Sequence, residues 1–147
     1  MGRLVDQELL TDKLQELERY LKNLKKYQGI SPNALENDLD QLWIIQRGLQ
    51  LCIQLVLDIG NHILAEAGVS VREYAEIFPE LARLKVISEE FARSAKGMAG
   101  LRNLLVHEYS KLDMEKLVEV LNNRLNDFRK FSVFVAKYME QSEKEQG

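Results

Sequence analysis

Leu10, Leu14, Leu17, Leu21 and Leu24 recur at alternating intervals of four and three. That spacing puts five leucines on one face of an α-helix and does not match the two-residue alternation of a half-buried strand. A helix carrying such a stripe has to bury it against neighbours, and the rest of the chain offers helices for the purpose. Two prolines and eight glycines are too few for a turn-rich β fold, and Leu, Glu, Lys, Gln and Ala fill the long segments of the 147 residues. With 46% hydrophobic residues the chain can build the core of a single domain over residues 1–147. The expectation is an all-α fold, a bundle of four long helices with one irregular, short-helical insertion.

Punctuation sets the expected boundaries. The first helix runs from about Asp6 to Gln28 and is stopped by Gly29. Ser31 as N-cap and Pro32 at the first helical position open a second helix. Its apolar residues run from Leu35 to Leu64 and end before Gly68, so it should span the whole bundle. Ser70 and Glu73 form a capping-box pattern, but Pro79 interrupts the helix they would start, which predicts short helical pieces up to Val86. Ser88 opens a further helix. Asp113 caps the last, whose face is Leu117, Val120, Leu121, Leu125, Phe128, Phe131, Val135 and Tyr138. A polar tail from about Gln141 is expected to fray.

Composition excludes several functions. A net charge of −3 gives no general attraction for nucleic acid, so phosphate binding must rest on a local patch. The single cysteine, Cys52, cannot form an internal disulfide, which fits a reducing cytoplasm. The start, MGRLVDQ, has no apolar run behind its arginine, so no signal peptide is expected, and no purely apolar run is long enough for a membrane span. Two histidines 45 residues apart and one cysteine make a poor metal-ligand set, and no glycine-rich phosphate loop exists. No cofactor is expected. Trp43 and Cys52 read as core or dimer interface rather than ligands.

The chemistry is concentrated in residues 102 to 109, RNLLVHEY. Histidine moves protons best near neutral pH, and arginine can grip a phosphate bidentately. Together they supply most of what metal-free RNA cleavage needs. A base takes the 2′-OH proton, a cation stabilises the extra charge at phosphorus, and an acid protonates the leaving 5′-oxygen. His107 would be base or acid, and Arg102 the phosphate clamp. On an ideal helix His107 lies about 140° round from Arg102, whereas Asn103 and His107 share a face. Convergence therefore requires either a loosened helix near Val106 or a second chain, and a twofold dimer would set two copies across one cleft. A structural reading competes, since Arg and His near a helix C-terminus also meet the negative end of its dipole. Arg83, Lys85, Arg93, Lys96 and Arg102 form a modest basic approach to the motif, although a solvated helix face explains each except Arg102. Asp58 and His62, four apart, can pair and fix helix packing, or support the motif from behind.

R-N-x-L-V-H-x-Y after GMAGL resembles the signature of the HepT-like proteins, a branch of the HEPN superfamily. Arg47, Gln54, Asp58, Ile59 and His62 resemble that family's R…Q…DI..HI pattern. REYAEIFPELARLKVIS resembles its middle region, and LDMEKLVEVL the helix after the motif. The similarity runs from about residue 40 to residue 125. It implies a HEPN-type homodimer with the motifs lining its cleft, acting as a metal-independent ribonuclease toxin of a type VII-like toxin–antitoxin pair. The implied partner is an MntA-type nucleotidyltransferase antitoxin that transfers AMP onto the motif tyrosine. Carried over by position, Arg102 and His107 are catalytic, Tyr109 is the AMP acceptor, and Asn103, Asp58 and His62 are supporting. The added charge would lie two residues from His107 and would oppose RNA entry. Two alternatives stand beside this: a non-catalytic helical subunit that presents substrate to the nucleotidyltransferase, and a purely structural dimerisation module.

Overall fold

The computed structural model describes residues 2–107 and 113–146. The leucine stripe lies on α1 (Gly2–Leu24), where Leu10, Leu17 and Leu24 are buried and Leu14 and Leu21 are partly covered. Six further helices occur among the described residues: α2 (Pro32–Glu36), α3 (Leu39–Glu66), α4 (Ile77–Arg83), α5 (Glu89–His107), α6 (Met114–Asn123) and α7 (Leu125–Gln146). No strand occurs among them. The four long helices of the expected bundle are α1, α3, α5 and α7. α3 is the axle, packed by α1 on one side and by α4 and α5 on others, while α7 closes over α1 and α3.

Two expected long helices are each broken once. Ser31 does cap a helix, with the Ala34 N–H donating to its Oγ at 3.1 Å, and Pro32 does begin it. That helix ends at Glu36, however, and Asp38 starts a new one by accepting the Gln41 N–H at 3.1 Å. Asn37 caps the exit by returning its side-chain amide to the Asn33 carbonyl at 2.9 Å. The break lets Leu35 turn into the core, with α2 lying against α6. Asp113 likewise caps α6, accepting the Lys116 N–H, but the last helix is interrupted at Arg124. There the Arg124 N–H closes α6 onto the Val120 carbonyl, the Asp127 N–H bonds to the Arg124 carbonyl, and α7 starts at the next residue. Gln28 and Gly29 bond to the Leu121 carbonyl and the Asn122 side chain at 2.9 and 2.8 Å, which ties the turn between α1 and α2 to the end of α6.

The insertion between α3 and α5 is short-helical as expected. It holds a 3₁₀ turn at Tyr74–Glu76 and α4. Ser70 is not its cap. Glu76 reaches back to accept the Arg72 N–H at 2.9 Å, and Pro79 is accommodated inside the first turn of α4, where its missing N–H matters least. Lys85 ends α4 in the left-handed region, φ 62°, with the Val86 N–H closing onto the Leu81 carbonyl at 2.9 Å. Ser88 then caps α5 through the Phe91 N–H at 3.0 Å. The segment beyond Gln141, expected to fray, is helical through Gln146.

The core runs from Leu10 through the apolar face of α3 to Phe78, Phe128, Phe131 and Val135, with Phe78 and Phe131 edge-to-face at 6.5 Å. By length and composition α3 could cross a membrane, but its buried residues supply this core, and its outer face carries Arg47, Gln54, Asp58 and His62. Cys52 is fully buried, and burial pushes its thiol up to about 12, which leaves it unreactive at neutral pH. Trp43 is not core. It is 59% exposed, beside the exposed Leu39 and Ile44, because Ile45 packs into the core and Trp43 lies about 160° round the helix from it.

Close approach at two glycines sets the spacing around α3. A Cβ on Gly60 would sit 2.6 Å from Ile77 Cγ2 and 3.2 Å from Leu81 Cδ1, and one on Gly48 would meet the Leu24 side chain. Gly60→Ala should therefore cost about 1–3 kcal/mol in denaturant unfolding, because Ile77 is β-branched and cannot swing aside. Lys85→Gly should move stability the other way by up to about 1 kcal/mol, the left-handed penalty less the entropy glycine adds to the unfolded chain.

Candidate active site

The helix that carries the octet is anchored along its inner face by Phe91, Ala95, Met98, Leu101 and Leu105. Arg102 leaves this face at the side nearest α3 and is half-buried. Its Nε donates to Gln54 Oε1 at 3.3 Å, and its Cζ lies 4.4 Å from the centroid of the Tyr74 ring. Gln54 in turn donates through Nε2 to Asp58 Oδ1 at 2.8 Å, one turn along α3. The orientation of the glutamine amide follows from chemistry. An ionised carboxylate only accepts, so Gln54 must offer it the NH₂ group, and its oxygen is left for the arginine.

Three elements far apart in sequence meet here: α3, the 3₁₀ turn before α4, and α5. Gln54 and Tyr74 were not singled out as site residues by the octet. Gln54 had a signal, its four-residue spacing from Asp58 within the R…Q…DI pattern. Tyr74 had none, because its contact depends on how the irregular insertion folds back over α5.

Asp58 and His62 do not serve each other as their spacing suggested. Asp58 turns back to Gln54, whereas His62 Nε2 lies 3.3 Å from Glu66 Oε1 further along the helix. Asp58 therefore belongs to the arginine cluster and His62 to an i,i+4 pair beyond it. Asn103 is exposed on α5. α5 remains regular through His107, its last residue, so the loosening near Val106 that could have swung His107 towards Arg102 does not occur. The backbone of α5 is thus described as far as His107, while the side chain of His107 lies outside what the structure describes. Tyr109 lies outside the described residues.

Of the basic approach, Arg83 is engaged by Glu80 at 2.7 Å, while Lys85, Arg93 and Lys96 are exposed. Arg47 is exposed on the same side of α3 as Gln54, two turns towards the N-terminus. A groove of about 990 Å³ runs elsewhere, between α1 and α7, lined by residues such as Leu14, Leu21, Arg129 and Met139. The arginine cluster is not part of it. Among the described residues no three His, Cys, Asp or Glu side chains gather as metal ligands.

Residues 17–135 match the family model described as ribonuclease HepT-like. A tRNA nuclease HepT of Aphanizomenon flos-aquae is 33% identical over 122 residues, covering 82% of each chain. An mRNA nuclease HepT of Shewanella oneidensis is 26% identical over 125 residues, covering 84% of this chain and 93% of that one. Among solved structures, the tri-AMPylated HEPN toxin of Shewanella oneidensis in complex with MNT antitoxin has a TM-score of 0.77 at 26% identity. It covers 87% of this chain and 96% of that chain.

Proposed function

From the premise that the chain belongs to the ribonuclease HepT-like family, we propose that it is the toxin of a toxin–antitoxin pair and cleaves RNA by metal-independent transesterification in a cleft shared by two copies. The observation that carries this reading is the state of Arg102. Among the described residues the guanidinium is fixed through Nε and through one ring face, which leaves Nη1 and Nη2 to grip a phosphate. In the reaction Arg102 holds the scissile phosphate and stabilises the charge that develops there. His107 takes the 2′-OH proton or returns one to the departing 5′-oxygen, and the first product is a 2′,3′-cyclic phosphate.

A shared cleft is supported by the stoichiometry of the reaction, which asks for an acid and a base where the motif of one chain carries a single histidine. It is also supported by Gly97 and Gly100. Both are helical, and a Cβ on either would meet nothing within 4 Å. A glycine inside a helix costs about 1 kcal/mol relative to alanine, and the packing of the described residues does not require these two. Close approach of a second molecule would require them.

Arg102→Ala and His107→Ala should each lower cleavage of a single-stranded RNA by about 10²-fold or more, while the helical circular dichroism stays unchanged. EDTA should leave activity intact, and sedimentation should give a dimer. Products with 3′-hydroxyl ends, or a strict monomer with full activity, would overturn the mechanism or the shared cleft respectively.

Control would fall on Tyr109. With the cognate nucleotidyltransferase and ATP, intact-mass spectrometry should find one or more adenylates on Tyr109 and parallel loss of cleavage, since the new phosphate repels the RNA backbone beside His107. Tyr109→Phe should escape both modification and neutralisation yet keep much of its activity. Adenylylation at another residue, or a partner complex in which neither variant of the motif changes RNA cleavage, would favour the adaptor reading.

A further inference from the structure

Among the described residues, the contacts that hold Arg102 are with neutral groups, Gln54 and Tyr74. The nearest carboxylate in its chain of contacts, Asp58, is one residue removed, with the Gln54 amide between the two. Among the described residues no salt bridge includes Arg102. A direct carboxylate partner would fix the guanidinium equally well, but it would compete with a phosphate for the same charge and the same fork of donors. The glutamine separates the two tasks. Asp58 fixes which way the amide faces, and the amide fixes Nε without cancelling the charge.

Tyr74 supplies the second constraint. Its ring is 4.4 Å from Arg102 Cζ, well within range for an aromatic face to attract a cation. The ring is 38% exposed, so it is not needed as a core residue. It is placed by the 3₁₀ turn Tyr74–Glu76, which the Glu76 side chain closes onto the Arg72 N–H and which leads into buried Ile77 and Phe78. The irregular insertion thus has a definite task, to carry an aromatic face to the arginine of α5.

We propose that Tyr74 and Gln54 are positioning residues that hold Arg102 ready for a phosphate while leaving its charge unneutralised, a reading that rests on Arg102 being the phosphate clamp. The ring face does the holding, so the tyrosine hydroxyl is dispensable. Arginine side chains are otherwise mobile, and organising this one in advance removes an ordering cost from the transition state.

The test uses the full chain and two independent readouts. The first is the side-chain Nε–H resonance of Arg102 in ¹⁵N-labelled protein, assigned with Arg102→Lys. In the unmodified chain it should be shifted by the ring current and slow to exchange. Tyr74→Phe should preserve it, and Tyr74→Leu and Gln54→Leu should abolish the shift and the protection respectively. The second is cleavage of single-stranded RNA. Tyr74→Leu should lower kcat by about ten- to a hundred-fold with little change in KM, whereas Tyr74→Phe keeps near-full kcat. Gln54→Glu separates order from charge. It should keep the Nε–H protected yet weaken binding of a 2′-deoxy, uncleavable analogue, with the slope of log affinity against log salt reduced by about 0.7.

Unchanged Arg102 resonances in Tyr74→Leu would overturn the positioning role, as would a Phe variant no better than Leu. Undiminished analogue binding and salt slope in Gln54→Glu would overturn the charge argument. A chain that cleaves no RNA at all defeats the proposed function, but the resonances still decide whether the clamp exists.

Discussion

Everything in this molecule hangs on the burial of α3. Its residues Ile45, Leu49, Cys52, Ile53, Val56, Leu57, Ile59, Ile63 and Leu64 are buried by several different neighbours. A helix apolar on so many sides is stable only when it is surrounded. Each fully buried Leu or Ile contributes about 1.5–3 kcal/mol, which opposes about 1–2 kcal/mol of backbone entropy for every residue ordered. Gly48 and Gly60 bring α1 and α4 close enough for that burial to be complete. The other helices take their places as covers of α3, and the apolar stripe of α1 is the first of them.

The candidate site arises from the part of α3 left uncovered. The side of α3 that carries Gln54 and Asp58 is only partly enclosed, so polar side chains can stand there without an unpaired desolvation cost. α5 and the 3₁₀ turn border this strip, and Arg102 and Tyr74 reach into it from two directions. The scaffold is rigid where the core is dense, and the arginine inherits that rigidity through one hydrogen bond and one ring contact. The candidate site and the core thus lie on opposite faces of the same helix.

Local signals were legible wherever they acted locally. Ser31, Ser88 and Asp113 cap helices as their residue types and positions suggested, and Gly29 and Gly68 take positive φ just where the helical pattern ends. The break at Asn37 and Asp38 was written in the chain but outweighed by an apolar period that continues across it. The interruption at Arg124 left the periodicity of the last face nearly intact, so the pattern alone could not reveal it. Of the two places expected for Trp43, core or dimer interface, the structure rules out the first, since hydrophobicity predicts burial only on average.

The sequence by itself determined the all-helical class and the number of long helices, and it pointed to the octet as the candidate site. These depend on period, capping and residue type, which act within a few turns of one helix. Only the tertiary structure decided what holds Arg102. Gln54 is 48 residues from it and Tyr74 lies in the irregular insertion, and no local spacing encodes a contact across α3, a 3₁₀ turn and α5. Spacing offered Asp58 to His62, and the fold gave it to Gln54 instead. The reason is physical: a helix fixes which residues share a face, but the packing of that face decides which neighbour each side chain meets.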